Sequence, residues 1–334
     1  RGFGDTLLIM RATGRVAGLS VFERHHYRNT QKPEPLADER DIFEIGERID
    51  HKGAVIVPLD ETEIHGLAEK IRARGYEAVA ICFLFSHKNA AHERRTADIL
   101  RAALPGCYIT LSADVAPVIG EYERSATTLF NAYVGAMIES YLARLEQSLG
   151  AAGLSRNLLI VQANGGVATA AQTIPVMTIE SGPAAGVVGA GLLAVQLGEP
   201  NVIATDVGGT TFKVAVIAGH AWSYSRETVL NQYQLRLPMI DIASIGAGGG
   251  SIAWLDNGRL RVGPRSAAAD PGPACYALGG TEPTVTDADV VLGYISPDRF
   301  LDGRMRLDPE RAHEAIRSRI AEPLFGGDVL AAAA

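Results

Sequence analysis

Cysteine is scarce in this 334-residue chain: Cys82, Cys107 and Cys275 are the three, far apart and never in a CxxC spacing. That excludes a disulfide-stapled fold and a thiolate zinc centre, and it points to buried thiols in a reducing compartment. Basic charge is also short, with 31 Lys and Arg against 38 Asp and Glu and a net charge of −7. No basic stripe with interleaved aromatics appears, so neither nucleic acid nor a membrane surface is expected as a partner. Long apolar runs are missing too. The run "AVAICFLF" (78–85) is among the longest and falls far below the roughly 20 residues of a membrane helix. There is no signal peptide, so the expected location is cytoplasmic. No Ser/His/Asp or Cys/His nucleophile arrangement stands out. The chain opens without an initiator Met on "RGFGDTLLIM" and trails off in "GGDVLAAAA", which reads as a piece of a larger protein.

What is present is an ordinary globular composition, 47% hydrophobic and 21% charged, on a length that suits two domains. "GDTLLIMRATGRVAGLS" reads as a helix fraying at its glycines, and "DIFEIGERIDHKGAVIVPL" as a hairpin around Asp50 to Gly53. "LDETEIHGLAEKIRARG" carries Ile64, Leu67, Ala68 and Ile71 at helical spacing and stops at Gly75. "YEAVAICFLF" follows as a strand buried on both faces. Then come a helix "NAAHERRTADILRAAL", a strand "CYITLS", and a long helix from Tyr122 to Leu149. That helix has Leu129, Tyr133, Met137, Ile138 and Tyr141 along one side. "LLIVQ" is a strand ending in the turn Asn164-Gly165-Gly166. The alternation predicts a mostly parallel sheet with covering helices. From Ser181 the texture changes to a helix dense in small residues, "SGPAAGVVGAGLLAVQLG", open to very close packing. The strand-like runs "NVIATD", "FKVAVIAG", "AWSYSRETV", "IDIASIG" and "SIAWL…GRLRVG" follow. A Gly/Pro-rich loop (270–287) reads as ordered against something, and "DPERAHEAIRSRI" closes the chain as a helix with Pro in its first turn.

Two stretches carry chemistry. In "TDVGGTTFKVAVIAGH" (205–220) a strand ends in Asp206 and turns through Gly208-Gly209-Thr210-Thr211 into a second strand bearing Lys213. Glycines allow a tight turn and close approach of N–H groups to an anion. A hairpin needing positive φ explains the glycines, but it leaves Asp206 and the two threonines unexplained. An Asp at the end of such a strand can hold Mg²⁺ through water or orient a nucleophile. In "IGAGGGSIAW" (245–254), Gly246, Gly248, Gly249 and Gly250 suit a second anion cradle, a platform for a flat base, or a flexible loop.

Other candidates rank lower. His87, His92 and Glu93 could ligate a metal, but their spacing fits no strong motif, so capping or surface roles are favoured. Glu121, Glu123, Arg124, Thr127, Thr128 and Asn131 gather near the head of the long helix, where capping and ion pairing explain most of them. Asp287 and Asp289 read first as helix N-capping. Asp241 reads as half-exposed or paired near the Gly loop.

The blocks "DTLLIMR", "FLFSHKNAAHERR", "VAPVIGEYERSATTLFNAYV", "VQANGGVA", "SGPAAGVVGA", "TDVGGTTFKVAVI", "SIGAGGGSIAW", "VGPRSAAADPGPACY" and "GGTEPTVTDADVVLG" occur in that order. Together they resemble the hydantoinase A / 5-oxoprolinase family, over nearly the whole chain. This family includes ATP-dependent hydantoinases, oxoprolinases and the nucleotide-binding subunits of acetone and acetophenone carboxylases. The resemblance implies an α/β, actin-like ATPase fold of the sugar-kinase/Hsp70 type, with ATP and Mg²⁺ between two acidic, Gly-rich hairpins. Asp206 to Thr211 match the second hairpin. No counterpart of the first lies upstream, so the fold is expected to be incomplete at the N-terminus.

On this basis residues 1–58 are the remainder of an N-terminal region, 59–180 an α/β subdomain, and 181–330 a nucleotide-binding half. Asp206 takes the metal-water or base role, Gly208, Gly209, Thr210, Thr211 and Lys213 face the phosphates, and Gly246 to Gly250 border the nucleotide. The implied activity is ATP-dependent phosphorylation of a cyclic amide or imide for ring opening, completed with a larger hydantoinase B-type subunit. A ketone carboxylase subunit, a small-molecule kinase and a non-catalytic scaffold are the alternatives. Two departures weaken a direct transfer of hydantoin or oxoproline specificity and leave room for a carboxylase-type role: Phe212-Lys213 replaces a more usual Thr-Asp-type ending of the hairpin, and Ala243 stands where many members have His.

Overall fold

The computed structural model describes residues 35–225, 228–230 and 233–334, so the helix expected near the N-terminus lies outside the described residues. The chain divides into two compact units, taken separately below. The first runs to Ala185 and regains Ser223–Ile240; the second comprises Gly186–Trp222 and Asp241–Ala334.

In the first unit, β1 (Arg48–Ile49) and β2 (Val55–Val57) form the expected antiparallel hairpin. The Asp50 carboxylate closes its turn by accepting from the amides of Lys52 and Ala54 at 2.8 Å each. Helix α1 (Glu61–Arg74) starts where the Asp60 side chain accepts from Thr62 and Glu63 and stops at Gly75, in the left-handed region at φ 68°. Ile64, Ala68 and Ile71 turn inward, toward β3 (Ala78–Ile81), helix α2 (Ala91–Ala103) and β4 (Tyr108–Leu111). Strands β3 and β4 pair in parallel, as a helical crossover requires. They are the one parallel pair among the described residues. The mostly parallel sheet is therefore corrected: every other pair among the described residues is antiparallel, and most of these are hairpins closed by short turns.

Two further expectations change here. The strand read over 76–85 ends at Ile81, because Phe83 gives its backbone to side chains rather than to a ladder. Its amide donates to Glu93 Oε1 at 2.8 Å and its carbonyl accepts from Arg124 Nη2 at 2.7 Å. Helix α3 (Glu121–Ala151) forms as expected, but its aromatic stripe faces solvent, with Tyr133 86% exposed. The buried side carries Arg124, Thr127, Thr128, Asn131 and Gly135 instead. Gly135 is required there, since a Cβ would fall 2.1 Å from the Tyr108 ring.

Polar burial on this scale holds because neighbouring elements supply partners for most of these groups, Arg124 Nε being an exception among the described residues. Arg124, 1% exposed, donates to Ser86 Oγ at 3.0 Å; Ser86 and Ser112 hydroxyls share a 3.0 Å bond, and Ser112 donates to Glu93 at 2.6 Å. Thus two serines link a buried guanidinium to a buried carboxylate. His92 bonds Glu47 at 2.8 Å. Among the described residues no group of three or more His, Cys, Asp or Glu gathers as for a metal. His87 accepts from Arg124, His92 pairs with Glu47, and Glu93 accepts from Phe83, Ser112 and Ala113. Strands β5 (Leu159–Val161) and β6 (Val167–Thr169) form the hairpin expected at Asn164 to Gly166.

Helix α4 (Ser181–Leu197) leads into the second unit. Its small residues permit close packing at Gly191, where a Cβ would lie 2.8 Å from Trp222, but Gly186 and Gly189 meet nothing within 4 Å. Strands β7 (Val202–Val207) and β8 (Phe212–Ala218) form the hairpin of the quoted stretch; β8 also pairs β9 (Ala221–Trp222) and β10 (Ala243–Ile245), all antiparallel. One face, bearing Ala215 and Ile217, is buried, with Ile217 close to Gly191 of α4; the other leaves Ile203 68% and Val216 62% exposed. A second hairpin, β11 (Ser251–Asp256) with β12 (Arg259–Ser266), turns at Asn257-Gly258.

The Gly/Pro loop is ordered, as read. It contains a short 3₁₀ turn (Ala274–Tyr276), and its ends are drawn together by the buried Asp287. That carboxylate accepts from the amides of Ala274, Cys275 and Thr284 and from the Thr284 hydroxyl, between 2.8 and 3.2 Å. Thr284 and Asp287 form a capping box on α5 (Val285–Val291), which bears out the capping role. Asp308 caps α6 (Pro309–Ile316) with Pro309 in the first turn. Of the cysteines, Cys275 is buried while Cys82 and Cys107 are partly so. Among the described residues no helix is long and apolar enough to cross a membrane.

Candidate functional site: a phosphate-sized turn on a glycine support

Everything in this subsection lies in the second unit. The β7–β8 register pairs Asp206 with Lys213 and Val207 with Phe212, leaving Gly208 to Thr211 as the turn. Directly paired residues point to the same face, so Asp206 and Lys213 stand side by side. Asp206 is exposed at the end of its strand, with no ion pair to any described residue. The turn is closed by the Gly208 amide donating to the Thr211 carbonyl at 2.8 Å.

The two glycine-rich stretches prove to be neighbours. Strand β10 pairs with β8, Ile245 opposite Phe212, and this delivers the 246–250 loop onto the hairpin turn. The Gly249 amide donates to Gly208 O at 3.0 Å, and the Gly250 amide to Gly209 O at 2.6 Å. Gly248 donates to Ser251 Oγ at 2.9 Å. These three amides are therefore committed within the protein and are not free to donate to an anion. Its glycines are there for contact. A Cβ on Gly248 would lie 2.5 Å from Gly208 O and 2.7 Å from Thr210 N, and one on Gly250 would lie 2.9 Å from Gly209 O.

The support sets the direction of the turn's own amides. Both turn peptides are trans, and in a trans peptide the carbonyl and the following N–H point in opposite directions. With the carbonyls of Gly208 and Gly209 held by Gly249 and Gly250, the amides of Gly209 and Thr210 are directed away from those donors. Neither they nor the Thr211 amide bond any described residue, and Gly208 to Thr210 are exposed. These successive N–H groups, with two threonine hydroxyls in the same turn, are donors of the kind that phosphate oxygens accept. A Cβ on Gly209 would meet nothing within 4 Å, so the space on that residue is open.

Mg²⁺ suits this arrangement, since it keeps most of its water and takes one or two carboxylates together with phosphate oxygens. Asp206, exposed two residues before the turn, is the carboxylate such a role would use. Asp241 is exposed and Asp289 is half-buried without a partner, its acidity weakened by desolvation; neither approaches the turn through a described contact.

Two participants escaped the sequence reading. Ser251 ties the Gly loop by accepting from Gly248, and Thr286 receives the Gly249 carbonyl on both its amide and its hydroxyl, 2.8 Å each. Ser251 acts locally, three residues from Gly248, whereas nothing local marks Thr286, which meets Gly249 across 37 residues of sequence.

Comparison with known proteins follows the same region. Residues 124–334 match the hydantoinase/oxoprolinase family model and residues 1–104 that of the hydantoinase/oxoprolinase N-terminal region. The acetophenone carboxylase gamma subunit of Aromatoleum aromaticum is 40% identical over 100% of this chain and 46% of its own length. The nucleotide-free structure of acetone carboxylase, solved for ATP-dependent acetone carboxylation, superposes with a TM-score of 0.82 at 31% identity, over 100% of this chain and 48% of that one. The ATP-dependent caprolactamase of Pseudomonas jessenii gives a TM-score of 0.76 at 39% identity, over 99% and 48%. The chain thus spans just under half the length of these relatives. On two family models and three extended likenesses, it belongs to the hydantoinase/oxoprolinase family.

Proposed function

We propose that the protein uses ATP to phosphorylate the carbonyl oxygen of a cyclic amide or imide, of the hydantoin or 5-oxoproline type, so that water can open the ring. The observation that carries this is the pair of outward amides at Gly209 and Thr210, in the turn that follows the exposed Asp206. Amide resonance leaves the carbonyl carbon a poor electrophile. Transfer of the γ-phosphoryl group to the exocyclic oxygen, with ADP departing, makes it one that water attacks, after which the C–N bond breaks and the phosphate is released by hydrolysis. For such a transfer the protein's part is positioning and charge neutralisation. Gly208 to Thr211 hold phosphate oxygens through backbone N–H and hydroxyl groups. Asp206 holds Mg²⁺ through water or orients the attacking oxygen, and Lys213, on the same face, adds positive charge beside the phosphates. Gly246 to Gly250 border the nucleotide chiefly by keeping the turn in place. An actin-like fold, the division at 59–180 and 181–330, and a larger hydantoinase B-type partner subunit belong to the same proposal. The lactam-directed relative, caprolactamase, supports the amide class.

A ketone carboxylase subunit is the second reading, favoured by the 40% identity to an acetophenone carboxylase subunit across the entire chain. There the same transfer would act on an enolate oxygen or on bicarbonate. Release of ADP on adding caprolactam, hydantoin or 5-oxoproline supports the first reading; release that needs both ketone and bicarbonate supports the second.

Asp206→Asn in the full-length protein tests the site under either reading. Substrate-dependent ADP release falls at least about tenfold while the unliganded melting temperature stays unchanged. Unaltered MgATP affinity and turnover in this variant reject the assigned role. A scaffold with no nucleotide function would show no thermal shift with MgATP, whereas binding to the native state must raise the melting temperature.

A further inference from the structure

Behind the phosphate turn lies a chain of peptide groups that ends at Thr286, and we infer that Thr286 is a positioning residue for phosphate binding although it sits two hydrogen bonds away from it. This rests on the phosphate-binding reading above.

Three layers are involved. The Thr286 amide and hydroxyl both donate to Gly249 O at 2.8 Å. The next peptide N–H, that of Gly250, points the opposite way and donates to Gly209 O at 2.6 Å. The N–H that follows Gly209 O, on Thr210, again points away and is one of the two outward donors. Thr286, the 249–250 peptide and the 209–210 peptide are therefore aligned head to tail, and each bond in such a row polarises the next. The row fixes two peptide planes that glycine would otherwise leave free to rotate. Without it, the turn could flip its 209–210 peptide and present a carbonyl to the anion.

The position of Thr286 is itself well anchored. Its neighbour Asp287 is buried and draws together Ala274, Cys275 and Thr284, so the first turn of α5 has little freedom. The Thr286 side chain is buried against Gly249, where a Cβ would lie 2.9 Å from its hydroxyl oxygen. Its hydroxyl therefore does more than fill space: Gly249 O already has the Thr286 amide, and the second donor sharpens the plane of the 249–250 peptide.

Thr286→Val keeps the shape and removes the hydroxyl, and Thr286→Ser restores it. In the full-length protein, Thr286→Val weakens MgADP and MgATP binding by roughly five- to tenfold, the equivalent of one hydrogen bond, and Thr286→Ser returns affinity to within about twofold of wild type. Without nucleotide, hydrogen exchange in peptides covering residues 246–254 accelerates in Thr286→Val and recovers in Thr286→Ser. Wild-type binding with Thr286→Val equal to it, or with Thr286→Ser as weak as Thr286→Val, overturns the positioning role while leaving the phosphate site standing. Failure of the wild type to bind either nucleotide overturns the phosphate site itself, and this role with it.

Discussion

Gly248→Ala is the sharpest test of the support geometry, because its two possible costs can be worked from the structure. The added methyl would sit 2.5 Å from Gly208 O and 2.7 Å from both N and C of Thr210. These are backbone atoms of a closed turn, not the movable end of a side chain. Gly248 itself needs no left-handed backbone, so φ strain plays no part. If the loop stays down, overpacking costs about 1–3 kcal/mol. If it lifts, the bonds from Gly249 and Gly250 to the turn are lost at roughly 1 kcal/mol each. At mid-range either route costs about 2 kcal/mol.

Hydrogen exchange reads this locally, which matters in a chain of two units where one melting temperature would average over both. A 2 kcal/mol loss accelerates exchange of the Gly249 and Gly250 amides roughly thirtyfold. Gly209→Ala is the control: the same loss of glycine freedom in the unfolded chain, but no atom within 4 Å of the new methyl. If Gly248→Ala exchanges no faster than Gly209→Ala over residues 246–254, the tight contact between loop and turn is refuted.

Two predictions concern the first unit. Arg124→Met leaves the buried Glu93 without its distant cationic counterpart and the Phe83 carbonyl without its donor, costing about 3–5 kcal/mol in denaturant unfolding; a loss under 1 kcal/mol would show that the serine-linked pair is not integral. His87 accepts from Arg124 at 3.2 Å through Nδ1, and burial first, then Arg124 and Lys88, hold its pKa below the ordinary value of 6.5. The unfolded state therefore takes up a proton before the folded state does. Stability falls as pH drops through 6.5 toward the lower folded pKa and is level above it. His87→Asn, which keeps an acceptor but cannot titrate, flattens that limb, and an unchanged slope between wild type and variant would refute the assignment.

The sequence was most informative where cause and effect are close along the chain. Asp60 before α1 and Gly75 after it, Asp50 in its turn, Pro309 in α6 and the Thr284–Asp287 box all act within a few residues, and each element formed as their chemistry requires. Helix α3 shows the opposite case. Leu129, Tyr133, Met137, Ile138 and Tyr141 make a convincing apolar side by spacing, yet the helix buries Arg124, Thr128 and Asn131. The groups that make such burial tolerable, Phe83 O, Ser86, Tyr108 and Thr110, are supplied from 21 to 41 residues away. No periodicity rule contains them. The mostly parallel sheet failed for a related reason: a run of apolar residues says that a strand is buried, but leaves open which strand it pairs with and in which direction, as the antiparallel pairing of β8 with the distant β10 shows.

The two glycine-rich stretches look alike in sequence and meet different physical demands. At Gly209 glycine leaves space open in front of the turn. At Gly248 and Gly250 it removes a Cβ that would strike the turn from behind. One stretch can therefore present donors because the other has used its own, three of its amides being bonded to Gly208, Gly209 and Ser251. This division has a consequence for catalysis. An anion site made from a free loop must order itself when the ligand arrives, and that ordering subtracts from binding. Here the carbonyls of the turn are held before any ligand is present, so the outward amides are already aimed. Electrostatic stabilisation of a transferring phosphoryl group depends on donors that need no reorganisation during the reaction. The committed amides of 248–250 are thus as necessary to the proposed chemistry as the free ones at 209–211, although no phosphate need ever touch them.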